Sequence, residues 1–208
     1  MESFKRMLIA GMAVCMLSTF AAARQAAVPG PAPVTTPPPP ASTAPPVMGM
    51  GLRSVAFDHG GVIPDKYSQS VPQPVSPPLS WSDVPAGVKS FALICEDLDA
   101  APNRSPVGTL HWLMFNIPGE TRMLKEGQPA VPVLPDGTVQ GLNQGNVVGW
   151  RGPGARWPGP HHNYAFVLYA LDKKLDLGPE ATHAQVLEAM KGHVLAKAAT
   201  VGRFHRKN

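Results

Sequence analysis

Cysteine is almost missing from this chain. Only Cys15 and Cys95 occur, and Cys15 sits in an N-terminal apolar run that reads as a cleavable leader, which leaves one thiol and no internal disulfide. The fold must therefore stand on its hydrophobic core. Charge is sparse as well: Asp, Glu, Lys and Arg make up 15% of the residues, for a net charge of +4, and the basic residues do not interleave with aromatics. That pattern argues against a nucleic-acid-binding surface. No His-Glu-x-x-His stretch or other closely spaced ligand set is present, which removes the common zinc-hydrolase signatures. No serine or cysteine occupies a nucleophile motif, and Cys95 falls in an apolar run that reads as buried strand. No internal repeat is visible, and beyond the leader no apolar run is long enough to span a membrane.

What is present divides the chain into three parts. Lys5 and Arg6 precede the run LIAGMAVCMLSTFAAA, which closes on Ala21-Ala22-Ala23. A basic start, an apolar middle and a small-residue end define a signal peptide over 1–23, and hence a periplasmic or secreted protein. Val14 stands before Cys15 where a lipoprotein signal has a small residue, so this leader is not read as a lipid anchor. Residues 24–47 include PGPAPVTTPPPPASTAPP, which has no charge and almost no large apolar side chain. Proline removes backbone donors and favours extended geometry, so this stretch reads as a disordered linker. The remaining 48–208 is one domain of ordinary size.

Within that domain, strand-like runs alternate with turn residues. Residues 52–57 alternate as a first strand, Gly60-Gly61 and Pro64 mark a turn, and Trp81 is an aromatic core anchor. Phe91 to Cys95 is a continuous apolar run, expected to be a central strand buried on both faces. Residues 110–117 form another strand, in which period two puts Leu110, Trp112 and Met114 on one face and His111, Leu113 and Phe115 on the other. Residues 118–160 are rich in Gly and Pro and read as a long loop region, of a length that is usually functional or mobile, with one short strand near 147–150. The run NYAFVLYAL over 163–171 is a further core strand. Thr182 and Gln185 form a capping box for a helix whose apolar stripe is Val186, Leu187, Met190 and Val194, weakened but not abolished by Gly192. The last segment, AKAATVGRFHRKN, reads as an edge strand.

Chemistry-bearing residues gather at strand ends. Pro160-His161-His162-Asn163-Tyr164 leads into the strand at 163–171, and alternation points His162 and Tyr164 to the same face. Two hydrogen-bonding groups beside a Gly-Pro loop suggest a small anion pocket. The run Glu96-Asp97-Leu98-Asp99 places three carboxylates where the central strand meets a loop, and His111 lies near the start of the next strand.

Three stretches carry a specific resemblance: SPPLSWSDVPAGVKSFALICEDLDA over 76–100, LHWLMFNIPGETRML over 110–124 and GPHHNYAFVLYALD over 159–172. Together they resemble the phosphatidylethanolamine-binding protein family in its bacterial Raf kinase inhibitor-like branch. The matching residues are Asp97 and Asp99, then His111, Trp112 and Asn116, then His162 and Tyr164. Leu98 replaces a usual proline, Ala101 is inserted before Pro102, and Asn163 stands where arginine is usual. The resemblance implies a mainly β fold, an antiparallel β-sandwich with one or two peripheral helices. It also implies an anion pocket lined by Asp97, His111, His162 and Tyr164, with Trp112, Trp157, Pro158 and Pro160 as walls, and neither metal nor other cofactor. The residue chemistry agrees: imidazoles titrate near neutrality and can become charged donors to phosphate, while Asp97 can accept from one of them and fix its tautomer.

The function so implied is non-catalytic binding of a phosphate-bearing small molecule or phospholipid head group. Two alternatives stand beside it. One is a hydrolase, metal-dependent or acid-base, built on Asp97, His111 and His162. The other is a protein-interaction or inhibitor module using the proline-rich segment or the basic end at Arg203, His205, Arg206 and Lys207.

Overall fold

The computed structural model describes residues 49–100, 107–155 and 159–206. The leader and the proline-rich segment lie outside the described residues, as do Ala101, Pro102, Trp157, Pro158 and Lys207. Because Phe91 to Cys95 alternates large apolar side chains without a polar break, it can be stable only with protein on both sides. It forms the middle of β3 (Ser90–Asp97), and all five residues are buried. On its two sides run β4 (Thr109–Pro118) and β7 (His162–Leu171), both antiparallel to it. Beyond β7 lies β8 (Val194–Phe204), and beyond β4 lies the two-residue β6 (Val139–Gln140), which completes a five-stranded sheet in the order β6-β4-β3-β7-β8. A second antiparallel sheet has the order β1-β2-β5, from Gly51–Arg53, Leu79–Ser82 and Met123–Leu124.

Alternation along β3 divides its side chains between two cores. Phe91, Leu93 and Cys95 join a cluster with Leu52 of β1, Leu79 and Trp81 of β2, and Phe166 of β7, which fills the space between the sheets. Ala92 and Ile94 face the opposite way, against Leu175 and the helix residues Val186 and Met190. Each fully buried aromatic or branched side chain contributes about 1.5–3 kcal/mol, so this double-sided burial makes β3 the anchor of the sandwich. Among the described residues the one α-helix, α1 (His183–Met190), begins at the expected capping box: Thr182 accepts from the Gln185 backbone amide, and the Gln185 side chain accepts from the Thr182 amide. It is too short and too polar to cross a membrane. A single 3-10 turn covers Asp65–Tyr67.

Four local expectations need correction. The first strand stops at Arg53, because the Ser54 hydroxyl donates to Pro78 O and accepts from the Ala56 amide, turning the chain out of the sheet. Residues 147–150 form no strand; only a bridge pairs Val148 with Leu142 across a turn held by Asn143. Gly192, at φ 77°, ends the helix rather than merely weakening it, so Val194 belongs to β8 and not to the helical stripe.

The fourth correction bears on the site. Cys95 pairs with Trp112 while Glu96 pairs with Leu110, so His111 is an extra residue with no partner across β3. Such a bulge breaks the period-two rule and re-aims one side chain. Leu110 therefore packs with Leu113 and Phe115, and His111 is released toward the side occupied by Trp112 and Tyr164. A second irregularity farther along β4 leaves Asn116 at φ 56°. Its side-chain amide exchanges two hydrogen bonds with the backbone of Leu175, tying the segment before α1 to the sheet.

Candidate functional site

Antiparallel pairing brings the C-terminal end of β3 beside the starts of β4 and β7. Asp97 pairs with Thr109 on one side and with Tyr164 on the other. Around this junction lies a cavity of about 260 Å³ lined by Asp97, Thr109, His111, His162 and Tyr164 from the strand ends, and by Gln69, Ala100, Arg151, Gly154 and Ala155 from loops. All four residues singled out as pocket groups meet there.

Asp97 is 3% exposed and fully committed. Its Oδ1 accepts from the backbone amides of Asp99 at 3.0 Å and Ala100 at 3.2 Å, and its Oδ2 accepts from His162 Nδ1 at 2.8 Å. A carboxylate can only accept, so Nδ1 of His162 carries the proton and the ring is held with Nε2 on its free side. The following loop is tied to β7 again: Asp99 Oδ2 accepts from both the backbone and the side-chain amide of Asn163, at 2.6 and 2.9 Å. Asn163, which replaces a usual arginine, thus clamps the Asp97 loop. Gly108 makes this approach sterically feasible, since a Cβ there would lie 2.2 Å from Asp97 O.

His111 is held from behind. Its Nδ1–H donates to Arg151 O at 2.7 Å, and the Arg151 amide donates back to His111 O at 2.9 Å. The ring is 3% exposed and meets Tyr164 edge-on, with centroids 5.1 Å apart. Burial lowers its pKa below 6.5, helped by the Arg151 charge and opposed by the Arg151 carbonyl and Asp97. Burial thus works against a charged His111, and its Nδ1 proton is already spent on a carbonyl.

Tyr164 is completely buried, and its hydroxyl has no hydrogen-bond partner of good geometry among the described residues. Burial pushes its pKa up, as does the Asp97 carboxylate; the backbone amides of Gly154 and Ala155 act in the opposite direction. A buried, unpaired hydroxyl is unfavourable by about 1–3 kcal/mol unless something fills the cavity that it lines. Arg151 lines the same cavity and forms no ion pair among the described residues.

The proposed walls fare differently. Trp112 is not a wall: it is fully buried in the core between the sheets, where its Nε1–H donates to Gln140 Oε1 at 2.9 Å. Pro160 is exposed and does not line the cavity. Trp157 and Pro158 lie outside the described residues. The walls are instead Gln69 and the 151–155 segment. Gln69 Nε2 donates to Gly152 O at 2.8 Å, and Arg206 joins the two walls, its amide donating to Ala155 O and its guanidinium to Gln69 O. The loop length and Gly-Pro density around residues 149–160 marked this segment as functional or mobile without identifying Arg151. Nothing local marked Gln69. Among the described residues no three His, Cys, Asp or Glu side chains converge as metal ligands would, and Cys95 is buried with its thiol pKa pushed up.

Comparison with known proteins assigns the architecture. Residues 53–205 match the family model described as phosphatidylethanolamine-binding protein. A UPF0098 protein of Methanothermobacter thermautotrophicus is 48% identical over 157 residues, covering 76% of this chain and 99% of the relative. A UPF0098 protein of Chlamydia trachomatis is 40% identical over 159 residues, with the same coverage. Among solved structures, a phosphatidylethanolamine-binding protein homolog from Chlamydia trachomatis superimposes with a TM-score of 0.66 at 37% identity, covering 76% of this chain and 99% of that one. Escherichia coli YbcL, described as a member of the mammalian family, gives 0.65 at 29% identity, again over 76% of this chain and 99% of that one. With a family model spanning all eight described strands but the first residues of β1, and relatives covered almost end to end, this chain belongs to the phosphatidylethanolamine-binding protein family.

Proposed function

We propose that the chain is a non-catalytic binding protein whose Asp97–His162–Tyr164 cavity takes the phosphate of a small molecule or phospholipid head group. The observation that carries this reading is the Tyr164 hydroxyl, buried with no hydrogen-bond partner among the described residues, in a cavity that His162 and Arg151 also line. Donors held in a sheltered site bind an oxyanion more strongly than they would in water, and charge-assisted bonds are the strong ones. The test is calorimetric titration with phosphate and phosphoethanolamine. His162→Ala should abolish binding that the unaltered protein shows; unchanged affinity counts directly against the reading. The leader further supports export to the periplasm or beyond the cell, which N-terminal mass analysis of the protein from culture fractions tests.

One feature favours a second reading. The Asp97–His162 pair is the arrangement that a general base needs. Its buried Cys95 cannot serve as nucleophile, so water would have to attack. Turnover of p-nitrophenyl phosphate, lost in Asp97→Asn, would replace binding by hydrolysis.

A further inference from the structure

Arg151 is anchored at its backbone and left open at its head. Its amide donates to His111 O at 2.9 Å and its carbonyl accepts from His111 Nδ1 at 2.7 Å, so the residue is pinned to the start of β4 and forms part of the cavity wall. The side chain then runs to the turn at 143–146, none of whose residues lines that cavity. A Cβ built on Gly145 would lie 3.5 Å from both Arg151 Cδ and Nη1, so the bare glycine leaves the room in which the arginine lies. The turn beneath it is held from within: buried Asn143 accepts from the Gly145 amide at 2.8 Å and donates to Gly149 O at 3.0 Å, and its backbone pairs with Asn146 and Val147.

Among the described residues no hydrogen bond or ion pair engages this guanidinium. The carboxylates around it are committed elsewhere. Asp97 accepts from His162 and from its own loop, and Asp99 accepts twice from Asn163. Glu180 lines a neighbouring hollow with Asn143, Gln144 and Asn146, but its carboxylate is folded over Gly178, where an added Cβ would meet it at 2.5 and 2.6 Å. A guanidinium is always charged, so it needs no titration to act. Its planar fork of donors matches a carboxylate through two parallel bonds.

We infer that Arg151 forms a second subsite at the edge of the anion cavity, and that the ligand is an organophosphate which also carries a carboxylate. The phosphate sits at the Asp97–His162–Tyr164 junction and the carboxylate on the Arg151 fork. This rests on the anion-pocket reading and extends it. One guanidinium balances one carboxylate. A second phosphate would bring up to about two further negative charges close to Asp97 and Asp99, and among the described residues no other Lys or Arg lines the cavity.

The test is calorimetry on the full chain with four probes: inorganic phosphate, O-phosphoethanolamine, O-phospho-L-serine and 3-phosphoglycerate. Phosphoserine differs from phosphoethanolamine by one carboxylate, and 3-phosphoglycerate has a hydroxyl where phosphoserine has its amine, so the set separates the carboxylate from the amine. Both carboxylate probes should bind at least about tenfold more tightly than phosphoethanolamine, as one charge-assisted bidentate pair provides. Arg151→Gln should bring the three organic probes within about threefold of one another. Arg151→Lys keeps the charge and loses the fork, so it should retain only part of the preference; a preference as large as that of the unaltered protein overturns the bidentate assignment. Should Arg151→Gln misfold, the ratios in the unaltered protein and in Arg151→Lys decide. Equal affinity for phosphoserine and phosphoethanolamine, or a preference that survives in Arg151→Gln, overturns the subsite and leaves the anion cavity. Binding of none of the four overturns the cavity and the subsite together.

Discussion

Asp97→Asn isolates what the buried carboxylate does for the site. The substitution keeps the shape, and the remaining amide oxygen can still accept from the Asp99 and Ala100 amides, as Oδ1 does now at 3.0 and 3.2 Å. The loop turn should therefore persist. The NH2 group would take the place of Oδ2, which accepts from His162 Nδ1 at 2.8 Å. Two donors would then face each other, so the ring must move its proton to Nε2 or swing away. Hydrogen bonds to charged groups contribute about 1.5–3 kcal/mol, and each 1.4 kcal/mol is about tenfold in affinity. Phosphate binding should weaken by roughly ten- to 150-fold on that scale. A competing effect has the opposite sign: removing a negative charge near the ligand lowers repulsion, by up to about 4 kcal/mol for unit charges 4 Å apart at an effective dielectric of 20. The first effect is expected to win, because the Asp97 charge is directed at His162 and the loop amides rather than at the cavity. Calorimetry with inorganic phosphate, paired with thermal unfolding to confirm that the turn survives, checks this. Unchanged or tighter binding would refute the claim that Asp97 acts by holding His162.

The remaining expectations concern the frame around the site. Gly108→Ala should lower the melting temperature, with a cost of about 1–3 kcal/mol for forced overpacking, because the added Cβ would lie 2.2 Å from Asp97 O; a neutral result in thermal unfolding would contradict that contact. Trp112→Phe should destabilise by about 1–3 kcal/mol, since it leaves Gln140 Oε1 without its donor in the core, yet leave phosphate affinity within a few-fold; selective loss of affinity would return Trp112 to the pocket wall. The lowered pKa of buried His111 predicts acid sensitivity. Its folded pKa lies below 6.5, so the unfolded chain binds the extra proton and stability falls as pH drops below 6.5, by at most about 1.4 kcal/mol per pH unit. Urea titrations at pH 5.5 and 7.5 should show this difference shrink in His111→Gln.

Recognition and geometry meet at the bulge in β4. Strict alternation through residues 110–117 puts His111 and Trp112 on opposite faces, whereas the family resemblance gathers both at one pocket. One extra residue between the pairs Cys95–Trp112 and Glu96–Leu110 reverses the parity. The same device that sends Leu110 into the helix-covered core turns His111 toward Tyr164. Arg151 and Gln69 escaped notice for another reason: they reach the cavity from loops tied down by backbone bonds to Pro153, Gly152 and His111, and such bonds leave no periodic trace in a sequence.

The linear sequence by itself determined the two-sided burial of β3, the strands that flank it and the capping box of α1, because side-chain alternation, apolar content and capping chemistry act over a few neighbouring residues. Asp97, His111, His162 and Tyr164 were grouped as one pocket by the family resemblance of their motifs. Only the tertiary structure decided which face His111 takes, that its Nδ1 proton is spent on Arg151 O, and that Trp112 belongs to the core. These depend on strand register and on a carbonyl forty positions along the chain. Hydrogen-bond direction is a property of pairs brought together by folding, so no reading of either residue alone can supply it.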